Sequence, residues 1–179
     1  MSEYRVTEHP VIRNVEMIYP NFEGRKGIYN DSGKRNFKIV LDDDTAKMLK
    51  DNGWTSVTYK QSKNDPDVGR WEMKVNVRFD KFPPRIVLTN SSGHRFLNEE
   101  NAGLIDHLKF EKIDIRLSPY NYFDRRTNEP CCSAYLEAFY GTIFEDELDK
   151  EYGVGDPLLD NLGGCGNCVI CSGNCHEND

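Results

Sequence analysis

At 179 residues the chain suits one domain and an appendage, and it is long enough to bury a core without disulfide or metal staples. With 37% hydrophobic and 30% charged residues, no apolar run nears a membrane span and "MSEYRVTEHP" has no leader-like core, so a reduced, cytoplasmic chain with no membrane association is expected. The net charge of −7 is unevenly placed: from Glu145 onward there are nine acidic residues and one basic residue, Lys150, leaving 22 basic and 21 acidic residues before it. The balanced body can hold a basic face, whereas the acidic C-terminal fifth cannot bind phosphate.

In chain order, "VIRNVEMIY" (11–19) predicts a strand ending at Pro20, where proline interrupts a ladder. The Gly-, Asn- and base-rich "NFEGRKGIYNDSGKR" reads as a loop and "NFKIVL" as the next strand. Asp42, Asp43 and Asp44 then open a short helix carrying Ala46 and Leu49, which "DNG" stops. "WTSVTYK" is β-prone, and "QSKNDPDVG" is turn chemistry. In "WEMKVNVRF", Trp71, Met73, Val75, Val77 and Phe79 alternate with polar neighbours, the period of a half-buried strand. After "FPP", "RIVLT" predicts a strand running into a turn, and "NEENAGLID" a short helix or turn. Phe110 to Leu117 predict a strand ending at Ser118-Pro119, and "SAYLEAFYGTIF" the last strand, with a polar loop holding Arg125 and Arg126 between them. The composition turns to Gly, Asp and Asn after Tyr152, which sets a boundary near Gly153. Six or seven short strands with one inserted helix predict a mainly β chain, a small barrel or a sandwich.

Catalytic signatures are missing: there is no GxxxxGK[ST], HExxH or GxSxG, and His9, His94, His107 and His176 have no metal-ligand spacing, so no enzyme is expected. Asp42 to Asp44 offer oxygen ligands for a nuclease's Mg²⁺ or, more simply, cap a helix start. Cys131 and Cys132 read as ordinary thiols. Cys165, Cys168, Cys171 and Cys175 have a thiolate spacing that suits zinc better than an iron–sulfur cluster, because there is no second cysteine run and His176 stands where a proline would follow. A flexible tail that binds nothing is the alternative.

Single-stranded nucleic acid is held by cations that follow phosphates and by aromatic rings that stack on bases. Such residues interleave in this chain: Arg25, Lys26 and Tyr29; Arg35, Phe37 and Lys38; Lys74 and Arg78 on one strand face; Arg116, Tyr120, Tyr122 and Phe123. Burial of the rings in a core is the simpler explanation, and for Trp54 and Trp71 the preferred one.

The ordered pieces "NFEGR", "GKRNFKIVLDDD", "DNGW", "WEMKVNV", "FPPRIVL", "LNEENAGLID", "SPYNYF", "AYLEAFYGTIFEDEL" and "EYG" resemble the single-stranded DNA-binding proteins of tailed bacteriophages, over roughly Val11 to Gly153. The resemblance implies an oligonucleotide-binding (OB) fold over residues 1–153, followed by an acidic, Gly- and Cys-rich flexible tail over 154–179. It implies coating and protection of single-stranded DNA, without strong sequence preference, during phage replication and recombination in the bacterial host cytoplasm. The tail would recruit replication proteins such as a polymerase or helicase, or compete with DNA. By position it points to Arg25, Arg35, Asn36, Phe37, Tyr120 and Tyr122 as DNA contacts, to which the residue pattern adds Lys38, Lys74, Arg78 and Arg116. No cofactor is needed for such binding, zinc in the tail aside. Glu137 and the Cys131-Cys132 pair depart from a basic or neutral approach to the last strand, and the cysteine run is no part of the pattern. The rival is a protein-interaction adaptor with a zinc-binding tail and little DNA affinity.

Overall fold

A computed structural model of the protein describes residues 5–28 and 30–152. Nine strands form one mixed sheet: β1 (Val11–Ile12), β2 (Glu16–Asn21), β3 (Arg35–Leu41), β4 (Val57–Gln61), β5 (Gly69–Val77), β6 (Arg85–Asn90), β7 (Gly93–Leu97), β8 (Phe110–Phe123) and β9 (Pro130–Ile143). The main path runs β1-β8-β9-β5-β3-β2, with β4 added to β5 and the β6–β7 hairpin added to β9. β5 and β6 both run parallel to β9, one against its first half and the other against its second.

The sheet curls into a half-barrel whose two ends are served by one bent segment. Val11 and Ile12 pair with Arg116 and Ile115 of β8, the Val15 N–H donates to the Ile113 carbonyl at 2.9 Å, and Glu16 onward pairs with β3. The bend falls at Asn14, whose φ of 51° lies in the left-handed region that Asn tolerates better than most residues. The predicted single strand over 11–19 is therefore two pieces serving two flanks. β2 also continues through Pro20, at a bulge between Ile18 and Asn21, instead of ending there.

Alternation along β3 (Phe37, Ile39, Leu41), β5 (Met73, Val75, Val77) and β8 (Ile113, Ile115, Leu117) turns one face inward. Phe22 stacks on Phe37 at 5.1 Å and meets Phe139 edge-on at 5.6 Å, and all three rings are fully buried. A 3-10 turn over Ala102–His107 packs beneath them, and the buried Asp106 carboxylate accepts the Phe22 and Glu23 N–H groups at 2.8 and 3.1 Å. The inserted helix α1 (Asp43–Asp51) starts where the acidic run predicts. The Asp42 carboxylate accepts the Thr45 N–H at 2.6 Å, and the bonds from the Thr45 backbone and side chain hold it below the usual carboxylate range. Asp42 is thus a helix cap. Trp54 is buried as expected, while Trp71 lies at the margin with its indole N–H on Asp43 at 3.0 Å.

Two further elements differ from expectation. "NSSGHRFL" completes a hairpin, with β7 returning along β6. β8 passes through Ser118-Pro119 to Phe123. The Leu117 N–H points away from β9, to the Pro10 carbonyl at 3.0 Å. By alternation Pro119 faces the same edge, where its missing N–H removes nothing from the β8–β9 ladder. A second helix, α2 (Glu147–Tyr152), closes the described chain. Among the described residues, no helix is long and apolar enough to cross a membrane.

Candidate nucleic-acid interface

The outward faces of β3, β5, β9 and β8 form one surface. Across β3 and β5, Asn36 stands opposite Asn76 and Lys38 opposite Lys74. The parallel register sets Asn76 beside Tyr135 of β9, and the antiparallel register sets Tyr135 beside Ser118, Ser133 beside Tyr120 and Cys131 beside Tyr122 of β8. Two-residue alternation places Arg78 in line with Lys74 and Asn76, and Arg116 in line with Ser118 and Tyr120. Four adjacent strands thereby join cations from one half of the sequence to tyrosines from the other.

The tyrosines form a cluster: Tyr120 lies 6.1 Å from Tyr122, near-parallel, and 5.6 Å from Tyr135, edge-on. Tyr120 keeps 53% of its surface exposed near the far end of β8, so a ring face is open to a ligand. Beside it lies an open groove of about 770 Å³, bordered by Arg78, Phe82, Pro119, Tyr120, Tyr135 and Glu137. Phe82, 87% exposed on the loop after β5, forms its outer wall. Arg78 bonds Asp80 at 2.6 and 3.1 Å. Bonds to Asp80, and then to Tyr135, raise its pKa, while Arg78 lowers that of Asp80. At the other lip, His9 Nδ1 lies 3.2 Å from Glu137 Oε2. Arg125 and Arg126 are exposed in the turn joining β8 to β9. Exposed rings beside fixed cations on an open surface can stack bases and hold phosphates. Among the described residues, no group of three or more His, Cys, Asp or Glu side chains is placed to hold a metal.

Residues 2–160 match the protein family described as "Putative phage ssDNA-binding domain". The chain belongs to this family. No curated protein matches the sequence. Among solved structures, the fold is similar to the single-stranded DNA-binding protein from bacteriophage Enc34 in complex with ssDNA, at 12% identity and a TM-score of 0.50, over 77% of this chain and 88% of that one. A C-terminal truncation of that protein is likewise similar, at 12% identity and 0.49, over 77% and 87%.

The structure brings Asn36, Lys38, Lys74, Arg78, Arg116, Tyr120 and Tyr122 onto the one outward surface of this family member. Within it, Asn36 donates to Asn30 Oδ1 at 2.8 Å, and Asn30 holds the carbonyls of Arg25 and Lys34. Asn36 thus anchors the loop before β3. Phe37 is a correction: it points inward, fully buried in the stack with Phe22, and has no face to offer a base. Arg25 and Arg35 lie apart from the tyrosines. Arg25 pairs with Glu23 at 3.3 Å and Asp106 at 3.6 Å, and Arg35 pairs with Glu99 at 3.1 Å and stacks over the Phe79 ring at 4.9 Å. Arg35 borders a cleft of about 360 Å³ shared with Glu23, Glu99 and Glu100, a poor neighbourhood for phosphate. Tyr29, Cys165, Cys168, Cys171 and Cys175, with the tail from 153, lie outside the described residues. Sequence reasoning missed Tyr135 and Phe82. The alternation of "SAYLEAF" carried the first signal, since Ala134 and Leu136 point inward, and exposure in the "FPP" break carried the second.

Proposed function

We propose that the chain binds single-stranded DNA on this outward surface, as a non-enzymatic coating and protecting protein with an OB-type barrel. Lys38, Lys74, Arg78 and Arg116 neutralise phosphates, and Tyr120, Tyr122 and Tyr135 stack bases. The carrying observation is the exposed tyrosine cluster lying in register with the Lys38–Lys74 pair across β3, β5, β9 and β8. Membership of a phage ssDNA-binding family, and the Enc34 protein's name and fold, support the same reading. Stacking with backbone neutralisation has no base-edge code, so sequence preference is weak. Action during phage replication and recombination, in the bacterial cytoplasm, follows from this reading, with the acidic C-terminal region engaging replication proteins.

The test is a titration of labelled oligo-dT at two salt concentrations with duplex DNA as control. Stoichiometric, salt-weakened binding of the single strand, with little of the duplex, is expected. No binding at low salt, or equal binding of duplex, overturns it.

A further inference from the structure

Resting on the proposed DNA-binding surface, we propose that it continues past Lys38 to a second base platform, Tyr19, which Arg70 and the buried Glu72 hold in place. The backbone gives the first indication. Tyr19 has a φ of 51° within the β2 bulge, a conformation that is rare for a bulky residue. Bulges re-aim side chains, and this one lays the ring over the outward face, 66% exposed, with its hydroxyl 3.4 Å from Arg70 Nη2.

Glu72 supplies the second observation. It occupies the outward register of β5, between Arg70 and Lys74, yet it is only 4% exposed. Its two oxygens take separate cations: Oε1 lies 3.4 Å from Lys38 Nζ, and Oε2 lies 3.2 Å from Arg70 Nε. Only the carboxylate is covered, while the Lys38 and Arg70 side chains stay 35% and 44% exposed, so one acceptor sets the spacing of two solvent-facing cations. Here one covered carboxylate spaces two cations beside an exposed ring, and Lys60 stands opposite Arg70 on β4. The carboxylate is shielded and the cations are outermost, an arrangement that suits a polyanion with stacking bases. From Arg70, which Tyr19 contacts, to Asn76, which pairs with Tyr135, β5 advances six residues, about 20 Å at 3.4 Å each. The two tyrosine platforms therefore sit far enough apart for separate nucleotides of one strand.

The test uses the full chain with oligo-dT of about 6 and about 16 nucleotides, within the site sizes of such barrels. Tyr19→Ala is expected to weaken the long oligonucleotide about tenfold, one stacked base, and to leave the short one unchanged. Tyr19→Phe keeps the ring but loses its bond to Arg70, so it weakens the long oligonucleotide about as much as Glu72→Gln and less than Tyr19→Ala. Tyr120→Ala weakens both lengths. Glu72→Gln weakens the long oligonucleotide although it deletes a negative charge, and combined with Tyr19→Ala it loses less than the product of the two effects, because both act through one ring. Thermal melts of each variant establish that it is folded. Long-oligonucleotide affinity unchanged in Tyr19→Ala but reduced in Tyr120→Ala overturns the second platform alone. Tighter binding by Glu72→Gln does the same, since simple electrostatics then accounts for that residue. No single-strand binding by the unsubstituted chain overturns this inference together with its parent.

Discussion

Tyr120→Ala separates a binding surface from a merely solvated one. Tyr120 touches Tyr122 and Tyr135, and aromatic pairs contribute about 0.5–1.5 kcal/mol each, so truncation should cost the fold about 1–3 kcal/mol. For a domain of this size that lowers the melting temperature by several degrees without unfolding it. The loss in binding is larger in proportion. One base stack is worth about 1–3 kcal/mol by alanine substitution, a rise in Kd of about 5- to 150-fold. Tyrosine carries no charge, so the slope of log K against log salt should not change. Fluorescence anisotropy with oligo-dT at several salt concentrations reads both quantities, with a thermal melt of the same sample. A folded variant that binds within twofold of the parent chain would refute the assignment of Tyr120 as a base platform. A changed slope at lower affinity would show that the ring acts by placing Arg78, through Tyr135, and not by stacking.

Lys74→Ala should reduce the salt slope by about 0.7, the contribution of one single-strand phosphate contact, and an unchanged slope removes Lys74 from the interface. Phe37→Ala should destabilise the chain by about 3–5 kcal/mol in urea unfolding while the folded fraction binds DNA with normal affinity; a binding loss without a stability loss would restore Phe37 to the interface. Burial pushes the Cys132 thiol from 9.0 to about 11, so the unfolded chain gives up this proton first as pH rises. The resulting stabilisation, about 2–3 kcal/mol, is fully present below pH 9 and lost between about 9 and 11. Urea unfolding across that range should therefore fall more steeply for the parent chain than for Cys132→Ala, and parallel curves would refute the assignment.

The sheet was legible wherever one face is wet. "WEMKVNVRF" states its own inside and outside, and Lys74 and Arg78 fall on the outer side as alternation requires. The same rule applied to "RNFKIVL" places Phe37 inward with Ile39 and Leu41, and Lys38 outward; a resemblance by position overrode a period that was already decisive. β9 was harder to read, because its ladder with β8 shifts register across Glu137, between Leu136 and Ala138, and the broken alternation hid that Tyr135 points outward with Ser133. Pro119 looked like a strand end because sequence does not say which edge its nitrogen faces. The long-range partners of Arg25 and Arg35 lay beyond any local reading: Asp106 and Glu99 are brought to them by the 3-10 turn and the segment before it.

A net charge of −7 is compatible with holding a polyanion because charge acts locally. The Debye length is about 8 Å at physiological salt, so a strand on β3 and β5 responds to Lys38, Lys74 and Arg78 far more than to distant carboxylates. Even there the field is moderated, since Lys38 shares Glu72 with Arg70 and Arg78 pairs with Asp80. About three or four effective phosphate contacts give a salt slope of about −2 to −3 for a single strand. Affinity beyond that has to come from the rings, which salt does not screen. A duplex keeps its bases stacked within itself and can draw only on the weak electrostatic part. Preference for the single strand thus follows from how few of the cations on this surface are uncompensated, combined with how many of its aromatic rings are exposed.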